Sequence, residues 1–304
     1  MNTNKVIQTV ISTVLLTSVV LNMTACYIIL VKVKRKEITH LFVVSISITN
    51  LLETTIGLTP QLAMADESLL ESTPLCIVGG FAVLGFAITN ITHLTMLSFI
   101  RTVAIKYPRR YFQYHKMFWC KVTLILVCYA YGFFWATLPI IGWSKYELDL
   151  DKKRCSLDWK LTKANSFSYI LAIFICCNIL PGIVIALTLY YSAKEIRHRK
   201  ACKFPQNKKT DHLEKEYFQV CLLSAFAYFF FWTSYAIVGV LTLLKFNIPM
   251  HLATTTAMFS KLSTISNVLV NCYAIKSFQK QLLNLKIVQI MKSYLRVLIV
   301  CKKV

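Results

Sequence analysis

Seven apolar stretches follow one another along this chain, at approximately 7–31, 40–65, 74–105, 117–141, 166–194, 212–244 and 249–275. Each reaches the roughly 18 residues that a helix needs to cross a bilayer. Between them lie only short polar segments, so no soluble domain fits, and with 56% hydrophobic residues in 304 the solvent of this chain must be lipid. Backbone groups in hydrocarbon have to be satisfied within their own segment, which selects helices. The expected fold is an all-α membrane protein: a seven-transmembrane helix bundle over 7–275, a short extracellular N-terminus over 1–6, and a cytoplasmic amphipathic helix with a tail over 276–304. The first stretch is too long for a signal-peptide core and lacks a small-residue cleavage site, so it reads as a retained helix.

Basic residues orient the bundle. Lys32, Lys34, Arg35 and Lys36 follow span 1; Lys106, Arg109, Arg110 and Lys116 follow span 3; Arg197, Arg199, Lys200, Lys203, Lys208 and Lys209 follow span 5. Those loops are expected in the cytoplasm. Asp66, Glu67, Glu71, Glu147, Asp149 and Asp151 fall on the other side, with the N-terminus. The net charge of +21 is mainly this asymmetry, with attraction to anionic membrane lipid as its corollary. It does not point to nucleic acid, because the bases lie in short juxtamembrane loops rather than on a soluble face. Of the eleven cysteines, only Cys76 and Cys155 fall on the oxidising side, and these two are expected to form a disulfide that holds the second outer loop across the mouth of the bundle.

Charges inside the spans carry the chemistry, since each costs several kcal/mol unless it is paired or used. Lys261 lies near the middle of span 7, too deep to snorkel, and Glu53 lies at a similar depth in span 2. They read either as a structural ion pair or as a reactive amine with its charge partner. Desolvation favours the free amine of a buried lysine, which can then condense with an aldehyde. The resulting cation would need an acid or a bound anion beside it. Aromatics crowd span 6, among them Tyr228, Trp232 and Tyr235, with Phe81 and Phe86 in span 3. Most of these are packing residues; Trp232 is the strongest candidate for a ligand contact.

The pattern resembles the rhodopsin-like receptors, over all seven spans and the short segment after them. Asn22 in span 1, Arg101 at the inner end of span 3, Pro181 in span 5, and Trp232 with Tyr235 in span 6 stand at that superfamily's marked positions. Within it the chain is similar to the opsins: Lys261 precedes Asn267 at the spacing of the retinal lysine, and Gly142-Trp143-Ser144-Lys145-Tyr146 with Cys155 looks like the opsin second outer loop. The divergence elsewhere is more similar to cnidarian opsins than to vertebrate visual pigments. What the resemblance implies is a light-sensing G-protein-coupled receptor in the plasma membrane of photoreceptive cells, and not an enzyme. It would carry 11-cis or all-trans retinal covalently on Lys261, with a heterotrimeric G protein as its partner and arrestin as a further one.

Departures from the family matter as much. The vertebrate counterion position is Gly79 here, which leaves Glu53, the loop acid Asp149, or chloride to balance a cation on Lys261. Asp149 also reads as an ordinary solvated loop acid, and as a counterion its wetter setting would give the weaker pair. Ile100-Arg101-Thr102 lacks the usual acid, so Arg101 loses its local partner and Glu214 becomes the candidate to bridge to it for G-protein coupling. Asn50 replaces the sodium-binding aspartate. Trp232-Thr233-Ser234 and Asn267-Val268-Leu269-Val270-Asn271 lack the prolines that kink spans 6 and 7, which puts the hinged opening in doubt. These losses favour the alternative of a retinal photoisomerase or retinal-binding protein with weak or no signalling. A receptor for a diffusible ligand, with Lys261 and Glu53 as a structural pair, is the third reading. Two glycosylation-pattern asparagines, Asn22 and Asn90, fall within spans and are read as chance matches, and Cys301 near the end is a candidate for palmitoylation.

Overall fold

The computed structural model describes residues 3–33, 37–59, 73–115, 117–150, 154–201 and 208–285. Asp66, Glu67, Glu71, Asp151, Lys34, Arg35, Lys36, Lys116, Lys203 and Cys301 lie outside the described residues, as does the side chain of Glu214. Span 1 is Thr3–Tyr27 with a π turn at Ile28–Lys32, and span 2 is Ile38–Leu52 with a π turn at Glu53–Leu58. Span 3 is Pro74–Lys106 and span 4 is Phe118–Thr137. Span 5 is Ser166–Ile173, a π turn at Phe174–Ile179, and Leu180–Ala201; span 6 is Lys208–Leu243. Span 7 is divided into Met250–Lys261 and Ser263–Ala274. Pro108–His115 forms a short helix between spans 3 and 4, and Lys276–Leu283 forms the expected helix after span 7. Six of the spans are continuous and apolar enough to cross a membrane by length and composition.

Local chemistry fixes these elements. Thr73 caps span 3, its side chain accepting from the Cys76 N–H, and Pro74 stands in the first turn where no N–H is needed. In span 5 the π turn immediately precedes Pro181, whose ring would crowd a regular α turn and which has no N–H to give. Span 3 is the central pillar, packing on spans 2, 4, 5 and 6 and on the outer loop. It meets span 4 closely at Gly132: a Cβ there would come within 2.1 Å of Thr89 Oγ1 and 2.7 Å of the Gly85 carbonyl.

Span 7 is interrupted beside Lys261, although it contains no proline. The Leu262 N–H donates to the Phe259 carbonyl at 3.1 Å and the Ile265 N–H to the Leu262 carbonyl at 3.1 Å, a tighter turn than the α-helix. Side-chain hydroxyls compete for the nearby acceptors: Ser260 Oγ donates to the Ala257 carbonyl, Thr264 Oγ1 to the Lys261 carbonyl and Ser266 Oγ to the Ser263 carbonyl, all within 2.9 Å. Span 7 thus carries a local, tighter turn without a proline, amid a cluster of hydroxyls bonded to its carbonyls.

The loop between spans 4 and 5 forms a two-stranded antiparallel lid, β1 (Tyr146–Leu148) and β2 (Cys155–Leu157), with Leu148 opposite Cys155. The expected Cys76–Cys155 disulfide is formed, with Cα atoms 5.1 Å apart, and the other cysteines among the described residues are free. Behind the lid, Asp158 accepts from Ser166 Oγ at 2.7 Å and from the backbone N–H groups of Thr162 and Lys163 at 3.0 and 2.9 Å. Burial alone would raise this carboxyl, but those donors and the adjoining Glu147 carboxyl outweigh it and hold Asp158 at about 2.

Two outcomes follow for the lid. Cys76→Ala or Cys155→Ala should lower stability by about 2–5 kcal/mol, read as an earlier thermal unfolding in detergent, and peptide mapping without reductant should recover the 76–155 cross-link from the native protein. Because Asp158 is depressed in the folded state, its contribution is fully present above the ordinary carboxylate value. It should be lost as pH falls through about 2, a loss that acid melts of Asp158→Asn would not show.

Candidate functional site

The deepest charges form a pair. Lys261 Nζ donates to Glu53 Oε1 at 2.6 Å, with side chains 7% and 2% exposed, so both ions are withdrawn from water and lipid alike. Glu53 is presented by the π turn of span 2 and Lys261 by the last turn before the joint in span 7. The ammonium also lies 5.2 Å from the centroid of the Trp232 ring, within cation–π range, and Trp232 Nε1 donates to Ser263 Oγ on the far side of the joint. Trp232 thereby touches both halves of span 7.

Above this pair lies a mostly apolar cavity of ≈ 80 Å³. Its floor is Lys261, Ser260 and Trp232, its wall on span 3 runs from Gly80 to Ala87, and its roof is the lid, through Tyr146 and Arg154 to Trp159. Gly80 is needed where it stands, since a Cβ would come within 2.6 Å of the Tyr146 ring.

The expected site residues divide. Lys261, Glu53 and Trp232 come together, and Tyr235 lines the cavity beside them. Tyr228 does not line it: the ring stacks behind Trp232, with centroids 5.8 Å apart, and its hydroxyl donates to the Ala87 carbonyl at 3.4 Å. It supports Trp232 instead of facing a ligand. Asp149 is no solvated loop acid. It is 1% exposed, with Oδ1 accepting from the Leu150 N–H and Oδ2 accepting from Arg154 Nε at 2.9 Å and the Tyr235 hydroxyl at 3.2 Å. Arg101 is buried and engaged near the C-terminal end of span 3, and Glu216 is the buried acid of span 6 among the described side chains.

Two features escaped the sequence reading. One is Arg154, which nothing in the sequence pairs with Asp149 until the hairpin register is known. The other is an amide ladder beneath the site. Asn90 Nδ2 donates to Asn50 Oδ1 at 2.9 Å, Asn50 Nδ2 to Asn22 Oδ1 at 3.1 Å, and both Asn50 and Asn22 donate to the Thr264 carbonyl. Asn22 and Asn90 are thus buried structural amides joining spans 1, 2, 3 and 7, in keeping with the reading that their glycosylation patterns are chance.

A family model described as "7 transmembrane receptor (rhodopsin family)" matches residues 21–274. Opsin-3 of Mus musculus is 28% identical over 256 residues, covering 81% of this chain and 62% of the relative. Pinopsin of Columba livia is 25% identical over 218 residues, covering 69% and 60%. The chain thus spans less than two thirds of the length of these curated relatives. A crystal structure of squid rhodopsin superposes with a TM-score of 0.77 at 18% identity, covering 91% of this chain and 83% of that one, which establishes the shared fold.

The buried pair makes its own prediction, independent of any ligand. Glu53→Ala strands a lysine in the bundle and should cost about 3–5 kcal/mol, whereas replacing both partners by methionine should be near neutral or stabilising. Thermal melts of the two ligand-free variants compare them directly; equal losses would mean that the pair is not the strongly coupled unit its geometry indicates.

Proposed function

Because the chain belongs to the rhodopsin family of seven-transmembrane receptors, with opsins among its relatives, we propose that it is a light-sensing receptor carrying retinal on Lys261. The family is one of receptors rather than enzymes, and the protein is an integral multi-pass membrane protein. The observation that carries the proposal is a buried amine, the only buried lysine among the described residues, 2.6 Å from a buried carboxylate at the floor of an apolar cavity. The residues present suit attachment of an apolar aldehyde: an amine, an acid beside it, an aromatic floor and a disulfide-tethered roof. Retinal bound there would supply visible-light absorption and a light-driven change of shape.

The chain's own groups do the rest. Glu53 balances a positive charge kept at Lys261 Nζ and removes the need for water to do so. The lid and the span 3 wall exclude solvent, which keeps that charge pair strong. Trp232, held by Ser263 and backed by Tyr228, is where a change in cavity shape would press, and through Ser263 it bears on the joint of span 7. From there Thr264 leads into the amide ladder and so to spans 1, 2 and 3. On this reading the bundle shifts between two packings, with the N-terminus and lid extracellular and the basic loops facing a cytoplasmic G protein. Chloride is a second candidate for the balancing charge, and arrestin a further partner by family.

A second reading, retinal binding or photoisomerisation with weak or no signalling, is favoured by Ile100 in place of the acid beside Arg101 and by the proline-free span 6. Purified protein reconstituted with retinal should show a visible band, and Lys261→Ala should lose it while still reaching the membrane. A band that persists in that variant overturns attachment at Lys261. Light-driven nucleotide exchange on a heterotrimeric G protein separates the two readings, because the second expects a bound pigment with no exchange.

A further inference from the structure

Among the described residues four charges, not two, meet around the cavity. Besides Lys261 and Glu53 there are Arg154, which lines the roof, and Asp149, which lies behind it. Arg154 and Asp149 face each other across the lid and are bonded twice, through Arg154 Nε to Asp149 Oδ2 at 2.9 Å and through the Asp149 N–H to the Arg154 carbonyl at 2.8 Å. Their side chains are 7% and 1% exposed, so solvent does little to screen either charge. The Tyr235 hydroxyl donates to the same carboxylate oxygen, and the guanidinium lies 6.0 Å from the Tyr235 ring centroid. Among the described residues the titratable or charged groups around the cavity are therefore Lys261 from span 7, Glu53 from span 2, Tyr235 from span 6, and Tyr146, Arg154 and Asp149 from the lid.

We propose that Arg154 sets the charge of the ligand site: by neutralising Asp149 within the lid, it withdraws that acid from Lys261 and leaves Glu53 as the ionised acid that balances a cation there. This role for Arg154 rests on the retinal reading above. Around Lys261 the described charges then sum to zero, two positive and two negative. Without Arg154 the same shell carries an uncompensated carboxylate in a medium of low dielectric, and Asp149 becomes a second counterion facing the same cavity. Two unit charges roughly 10 Å apart at an effective dielectric of about 20 interact by an amount equal to about one pK unit. The contact with Glu53 is much shorter, so its removal should shift the titration several-fold further than that of Asp149.

The test is an alkaline titration of the dark absorption band in retinal-loaded protein, after wild type has given a visible band and Lys261→Ala has lost it. Absence of that band defeats the retinal reading; every later outcome bears on Arg154 alone. Glu53→Gln should lower the titration midpoint by several pH units. Adding Arg154→Gln should raise it again by about one unit, and adding Asp149→Asn to both should cancel that gain. The idea is overturned if Glu53→Gln with Arg154→Gln titrates with Glu53→Gln alone, or if Glu53→Gln keeps the wild-type midpoint while Glu53→Gln with Asp149→Asn does not, for then Asp149 is active despite Arg154. Should the combined variants not take up retinal, Arg154→Gln in the native background decides: its midpoint should rise above wild type, while Arg154→Gln with Asp149→Asn should return to it, and an unchanged midpoint in the first overturns the proposal. In ligand-free protein Arg154→Gln should also melt earlier than Arg154→Gln with Asp149→Asn, because the first strands a buried carboxylate and the second does not.

Discussion

An ion pair in hydrocarbon is the constraint on which the rest of this structure depends. Lys261 and Glu53 can be charged at the centre of the bundle only because they meet, and they meet only if spans 2 and 7 hold their depth and rotation to within a few tenths of an ångström. The amide ladder of Asn22, Asn50 and Asn90 fixes spans 1, 2 and 3 to the Thr264 carbonyl, one turn from Lys261. The same Thr264 hydroxyl bonds the Lys261 carbonyl. A polar framework of uncharged groups thus positions the charged one. Asn50 fits this role well, since an amide can donate twice and accept, whereas an ionised carboxylate can only accept.

Much of this was legible in the sequence, for identifiable reasons. Spans are set by the thickness of the bilayer, which acts on residue type alone, so their number and approximate ends follow from composition along the chain. Equal depth of Lys261 and Glu53 follows from counting inward from the span ends, and the Cys76–Cys155 pairing from compartment. What could not be read were matters of rotation and register. Tyr228 and Tyr235 lie two helical turns apart on one crowded helix, and only packing assigns the first to the back of Trp232 and the second to the cavity.

Asp149 shows the same limit from the other side. Aligned by position it is an acid over the ligand; placed in three dimensions, it is already held by Arg154, because Leu148 pairs with Cys155 and so brings 149 and 154 together. That pairing belongs to the hairpin, and no property of either residue announces it. Span 7 is a similar case. The rule that proline makes the kink is sound, but four hydroxyl side chains between 260 and 266 can loosen a helix too, and a motif reading that looks for one letter does not weigh them.

The π turn at Glu53–Leu58 acts like a gear tooth added to span 2. Each residue of an α-helix advances its face by about 100°, so one extra residue within a turn rotates everything beyond it while leaving everything before it in place. The inner half of span 2, with Asn50 in the amide ladder, and the outer half, where Gly57 lets Val83 of span 3 come close, are thereby indexed separately. Loss of a single residue from that turn would keep the framework and turn the half of span 2 that packs on Val83 to a new face. Chains of this architecture can in this way re-index one half of a span against its neighbour in one step, without disturbing the polar frame built on the other half.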